Sequence, residues 1–200
     1  MPVYQPITIT GLVDTVVDAA LAHPNAAVVA VDGADAAEPQ LPADAIAEKI
    51  RLRGRPAATV RLHDFVRPAS VRLEFGRDEM CYRTGWFDYA ALDREVLDGL
   101  RRRGSWLPAL WDEAEDRSAR AALRPAEAGT VIVVAGPMLI GRGLDFDVTV
   151  RLHMSEAALR RRTDPDQLWT IPALRHFAGE PADFEVRWDH PDRPALRTGH

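Results

Sequence analysis

Two runs in this chain, Ala26–Val31 (AAVVAV) and Thr130–Ala135 (TVIVVA), carry no charge and a single hydroxyl between them. A strand with one wet face alternates apolar and polar residues. A run apolar at every step must be covered on both sides, as in a parallel sheet between helices. Neither run is long enough to span a bilayer, and the longest apolar stretch, Val131–Ile140, is interrupted by Gly136 and Pro137. Ala57–Leu62 (AATVRL), Val148–Leu152 (VTVRL) and Phe184–Trp188 (FEVRW) are further strand candidates.

The segments between them read as helices. Leu12, Val13, Val16, Val17, Ala20 and Leu21 recur at helical spacing over 10–22. Residues 41–53 form a second helix, with Pro42 in its first turn and Gly54 just past its end. Asp88 caps a helix running to Arg103, and Ser155 caps Glu156–Arg162. Pro172–Ala178 is a last, short helix, and residues 105–128 read as a hairpin excursion. Strands alternating with helices imply an α/β fold with a mostly parallel central sheet. Ligands in such folds bind beyond the carboxyl ends of the strands. The places to search are therefore Asp32–Leu41, His63–Phe87 and Ala135–Leu144.

Composition narrows the function. With 200 residues, 46% apolar and 28% charged, the chain is long enough for one sizeable core and reads as one domain over 1–200. Its net charge of −5 disfavours nucleic acid as a partner. A lone Cys81 excludes an internal disulfide framework and a cysteine zinc site, and fits a reducing cytoplasm. The start, MPVYQPITIT, has no basic or apolar leader character, so neither secretion nor a membrane is expected.

The first strand, turn and helix stand where a phosphate-binding loop, G-x-x-x-x-G-K-[ST], would sit. Gly33 matches the first glycine. Glu38 stands at the second, Pro39 at the lysine and Gln40 at the Ser/Thr. Glu38 adds a Cβ and a negative charge where backbone amides should face phosphate. Pro39 has neither cation nor N–H, and the Gln40 amide replaces a metal-ligating hydroxyl. Asp32, Asp35 and Glu38 are three acids without a base in this turn. A carboxylate about 4 Å from a phosphate charge costs roughly 4 kcal/mol at an effective dielectric near 20.

The order of several motifs resembles the uridine kinase-like P-loop kinases, in particular the short nucleoside/nucleotide kinase-type proteins of actinobacteria. VVAVDGADAA resembles the phosphate strand and loop, and RLHDFVRP a strand ending in an Asp-Asp-Phe-type motif. GRDEMCYRTGWFDYAAL resembles the aromatic and acidic segment before a helix, and VIVVAGPML the Walker-B strand. ALRRR resembles the arginine-bearing lid, and IPALRHFAGEPADFEVRWDHPDRP the closing segment. The likeness runs from about Ala26 to Pro194. It implies a P-loop kinase-like three-layer sandwich, with an N-terminal helix in 1–25, an acceptor-site loop over 63–87 and a lid-like region over 155–180. It implies that His63 stands at the position of the catalytic base, normally Asp, and Ala135 at that of the Walker-B acid. Gly33, Asp35, Glu38, Pro39 and Gln40 form the degenerate nucleotide loop. Asp64, Phe65, Arg83, Phe87 and Asp88 fall in or near the acceptor pocket, and Arg160, Arg161 and Arg162 in the lid.

Each of these residues also has a plainer reading. His63 is a substitute base or a strand-end polar residue. Asp88 binds ribose or only caps its helix. The three acids of the turn hold a cation or are solvated. Arg101–Arg103 and Arg160–Arg162 grip an anion or decorate helix ends. Trp86, Trp106 and Trp111 stack on a ligand or pack, and Cys81 is reactive or inert. The simultaneous loss of the loop lysine, the hydroxyl and the Walker-B acid points to a pseudokinase that binds a nucleoside or other small molecule, or regulates by oligomerising. On this reading no cofactor or metal is expected. The alternative is an active phosphotransferase with ATP and Mg²⁺ gripped in another way, by Arg142 or Arg160–Arg162, with His63 as base.

Overall fold

The computed structural model describes residues 3–74, 76–177 and 179–198. Its centre is a seven-stranded sheet built from β1 (Val3–Pro6), β2 (Ala27–Gly33), β3 (Ala57–Arg61), β8 (Val131–Gly136), β9 (Val148–His153), β10 (Phe184–Arg187) and β11 (Ala195–Thr198), in the order β1-β11-β10-β9-β2-β8-β3. The five strands from β10 to β3 are parallel. β11 and β1 extend the sheet antiparallel at one edge. Four two-residue strands, β4 (Ser105–Trp106), β5 (Trp111–Asp112), β6 (Arg117–Ser118) and β7 (Arg124–Pro125), pair antiparallel as β4–β7 and β5–β6, which is the expected hairpin excursion.

The two apolar runs behave as their composition requires: every residue of β2 and of β8 is buried. Their side chains alternate between two cores. On one face Ala27, Val29, Val31, Val131 and Val133 meet α1 (Ile9–Leu21) and α2 (Gln40–Leu52), through residues such as Val16, Val17, Ile46 and Ile50. On the other face Val28, Ala30, Ile132 and Val134 meet Phe65, Leu92, Val96, Leu97 and Trp106. Burying each large aliphatic side chain contributes on the order of 1.5–3 kcal/mol.

Local signals set the helix ends. The Thr8 hydroxyl accepts a hydrogen bond from the Gly11 N–H at 3.0 Å and starts α1. Asp88 accepts from the Ala91 N–H at 2.9 Å, so the capping reading of Asp88 holds. From Asp88 a helix runs to Arg103, beginning as α4 (Tyr89–Leu92) and widening into π turns over 93–97 and 99–103. Gly104, at φ 62°, ends it. Ser155 caps α5 (Glu156–Arg162), and α6 spans Ile171–His176. Ala178, the last residue of the helix expected over 172–178, lies outside the described residues. The polar stretch 63–87 carries structure of its own: a 3₁₀ turn over Leu62–Phe65, α3 (Ala69–Arg72) and a π turn over Cys81–Gly85. Among the described residues no helix is long and apolar enough to cross a membrane.

Gly136 closes β8 directly against β3. A Cβ there would collide with the Cβ of Leu62, a fully buried residue. Gly136→Ala is therefore expected to lower stability by about 1–3 kcal/mol in urea unfolding. An unchanged midpoint would show that Leu62 moves aside without cost.

Candidate functional site

Beyond the carboxyl ends of β2 and β3 lies a cleft of about 780 Å³. Its floor is the turn after β2. Gly33 and Ala34 lead into a 3₁₀ turn, Asp35–Ala37, and Glu38 then takes a left-handed conformation at φ 51°, ψ 54°. The turn closes on itself: the Ala37 N–H donates to Ala34 O at 2.8 Å and the Glu38 N–H to Asp35 O at 2.9 Å. The indole N–H of buried Trp188 pins it by donating to Ala37 O at 2.9 Å. Amides consumed in this way do not point at a ligand.

The three acids of the turn face three different partners. Asp32 is turned inward, where its carboxylate accepts the Ile140 N–H at 3.1 Å and lies 3.6 Å from Arg151. Burial pushes its pKa above the usual carboxylate value, although those neighbours pull the other way. Asp35 bonds His63 Nε2 at 3.0 Å and accepts from the Tyr82 hydroxyl at 3.3 Å. Glu38 is paired with Arg162 at 3.0 Å. The acids so dispersed form no common cation cradle. Among the described residues no group of three or more His, Cys, Asp or Glu is placed to hold a metal ion.

His63 is bridged on both ring nitrogens. Its Nδ1 lies 2.7 Å from Glu113, on the segment after β5, and its Nε2 bonds Asp35. Burial works to lower its pKa, but the two carboxylates outweigh it and hold the ring protonated, with a pKa of about 10. Glu113 is held below the usual carboxylate range: burial opposes this, and its bonds to His63 and the charge of Arg72 prevail. An imidazolium donating from both nitrogens has no lone pair free, so in this geometry His63 forms a charged bridge between Asp35 and Glu113.

The residues matched to an acceptor pocket are scattered. Phe65 and Phe87 are buried in the core, with Phe87 packed edge-on to His63 at 5.2 Å. Asp64 pairs with Arg61 at 2.8 Å, beside a shallower hollow on the far side of His63. Arg83 lies 3.7 Å from Glu79, and Asp88 is used as a cap. Arg142 is spoken for: its guanidinium sits 4.4 Å from the Tyr89 and Phe177 ring centres and donates to Arg83 O and Met138 O. Of the lid arginines, Arg160 pairs with Glu156 at 2.9 Å, Arg161 is exposed, and Arg162 alone reaches into the cleft.

Besides Asp35, Glu38, His63, Trp86 and Arg162, which the sequence flagged, the cleft is walled by residues it did not, among them Arg72, Tyr82 and Glu113. Tyr82 and Trp86 line it but are almost wholly buried, packed on each other and on Trp169 at 5.0–5.8 Å. Arg72 covers the Trp86 ring at 5.1 Å and pairs with Glu113 at 2.8 Å. Trp106 packs in the core, and Cys81 is buried with its pKa raised by desolvation, which agrees with the inert reading of that thiol. Arg77, Asp164, Gln167 and Thr170 complete the rim. No spacing rule links Arg72, Tyr82 and Glu113; the expectation of a ligand loop over 63–87 covers the first two, and nothing in the sequence pointed to Glu113.

No protein-family model matches the chain, and no curated protein does. Solved structures do. A protein provisionally assigned as a fructose transport system kinase, from Silicibacter sp. TM1040, superposes with a TM-score of 0.73 at 21% identity, over 90% of this chain and 98% of its own. A possible uridine kinase from Bacillus stearothermophilus gives 0.65 at 16% identity, over 82% and 91%. The D-glycerate 3-kinase of Cryptococcus neoformans gives 0.59 at 14%, over 86% and 82%. At these identities the likeness shows the fold that the chain shares with these proteins, an α/β architecture with a mostly parallel central sheet.

The doubly paired His63 makes stability depend on pH. In the unfolded chain the ring titrates near 6.5, and in the fold near 10. Its contribution is complete below pH 6.5 and is lost as pH rises through 10. The stability difference between wild type and His63→Gln, from urea unfolding at pH 6, 8 and 10, should shrink as pH rises. A difference constant across that range would show that His63 is not charged in the fold.

Proposed function

We propose that this chain is a uridine kinase-like protein that has given up phosphoryl transfer and works as a non-catalytic binding or regulatory protein, a pseudokinase. The observation that carries the reading is the Glu38–Arg162 ion pair, which places a carboxylate of the protein itself at the turn where a donor phosphate would lie. The surrounding positions support it. Pro39 offers no cation, the Gln40 amide is tied to Asp44 at 2.9 Å, and Ala135 supplies no acid to a metal. ATP and Mg²⁺ do not fit this turn: its Ala37 and Glu38 amides bond within it, and its three acids are spent on protein partners. Phosphoryl transfer rests on positioning and on charge neutralisation by cations and Mg²⁺, and these are the parts displaced here.

What the fold keeps is a roomy cleft with polar walls, and the proposed activity is capture of a nucleoside or other small polar molecule there, with self-association as a further means of regulation. Active transfer through another grip is the weaker reading, since Arg142 is sandwiched between two rings and His63 is already protonated.

Titration calorimetry of ATP, with and without Mg²⁺, should show no binding tighter than about 1 mM. Two lost charge interactions of roughly 4 kcal/mol each offset the approximately 8 kcal/mol that a micromolar complex requires. Micromolar ATP binding would reject the proposal. A thermal-shift panel of nucleosides then tests the cleft: a true ligand at about 100 times its Kd adds about 2.7 kcal/mol of stability. A shift that survives Arg72→Ala and Glu113→Gln would place the ligand elsewhere.

A further inference from the structure

Arg162 is the last residue of α5 and lies across the cleft from the turn after β2. Its side chain is four-fifths buried. Of its two terminal nitrogens, Nη2 donates to Glu38 Oε2 at 3.0 Å, while Nη1 is buried with no hydrogen-bond partner. A guanidinium satisfied at one nitrogen and orphaned at the other is poorly matched to its carboxylate, because the fork geometry of Arg suits two oxygens held side by side. Glu38 is a strained partner as well. It sits at φ 51°, a conformation a side chain with a Cβ adopts reluctantly, and it is mostly exposed. Arg77 and Arg72 line the same cleft, and Arg77 is exposed with no ion pair among the described residues. Of the other acids of the cleft, Asp35 and Glu113 are engaged by His63, while Asp164 stands exposed on the rim with no ion pair among the described residues.

We propose that Arg162 is the anchor of a binding site for a small tetrahedral oxyanion, a phosphate group, and that the Glu38 carboxylate occupies this site in cis as a removable plug. Phosphate brings three oxygens to a fork that a single carboxylate oxygen now half fills, so it satisfies Nη1 as well as Nη2. Release of Glu38 returns that carboxylate to water at the mouth of the cleft. The ligand is then a phosphorylated small molecule, held by its phosphate at Arg162 and by its remainder along the polar wall. Little aromatic face is free for a nucleobase, since Tyr82 and Trp86 are 2% and 6% exposed. This inference rests on the reading of the turn as closed to a nucleotide donor, and it fails separately from it. ATP binding to the wild type overturns the earlier reading, whereas the plug is tested on variants with phosphate alone.

Inorganic phosphate is titrated calorimetrically into the full chain at neutral pH, as wild type, Glu38→Gln, Glu38→Gly, and each variant combined with Arg162→Gln. Glu38→Gln removes the charge at constant shape. Glu38→Gly also relieves the left-handed backbone, so one of the two remains informative if the other is poorly folded by circular dichroism. Both single variants should bind phosphate at least about ten-fold more tightly than the wild type, and the gain should vanish in the combinations with Arg162→Gln. Phosphate affinity no better in either folded single variant overturns the proposal. So does a gain that persists without Arg162, which would place the anion on other cations of the cleft.

Discussion

Backbone amides at a strand-to-helix turn have two uses: they close the turn, or they stay open and face a ligand. An open set needs residues that tolerate an unusual backbone and a nearby cation. In this chain the turn after β2 takes the first course. A 3₁₀ segment consumes the amides of Ala37 and Glu38, Trp188 fastens the far side, and Glu38 reaches out to Arg162. The α/β frame continues around it, and the closed turn is a few residues at the carboxyl end of an interior strand.

The same economy of charge runs through the cleft. His63 joins the turn after β2 to the hairpin excursion by bridging Asp35 and Glu113, and Arg72 ties Glu113 to α3. Four elements distant in sequence meet in one ionic network, partly screened from water. Such a network holds the cleft walls in register. It also engages both ring nitrogens of His63, which supports the proposed non-catalytic reading.

How much of this was legible depends on the range of the interaction. β2 and β8 announced themselves because burial on both faces requires a continuous apolar run. Their neighbouring helices showed a 3.6-residue spacing, and Asp88 and Ser155 marked helix starts through a local hydrogen bond. The strands β1 and β11 were not foreseen: each has four residues without alternation, the edge strand β1 is paired with β11 about 190 residues away, and β11 is held between β1 and β10. The π turns within 89–103 also leave no mark in the pattern, since the apolar positions fall on one face in either geometry.

For the site, the sequence by itself determined the chemistry of the turn. The absence of lysine, hydroxyl and second glycine at 38–40 and of an acid at 135 is a matter of residue identity, and no folding restores it. The tertiary structure decided who pairs with whom. It turned Asp32 inward, sank Phe65 and Phe87 into the core, set His63 between Asp35 and Glu113, and brought Arg162 to Glu38 across 124 residues. The physical reason is that charge pairing acts over a few ångströms in space and has no fixed separation along the chain, whereas hydrophobic periodicity and helix capping are written in neighbouring residues.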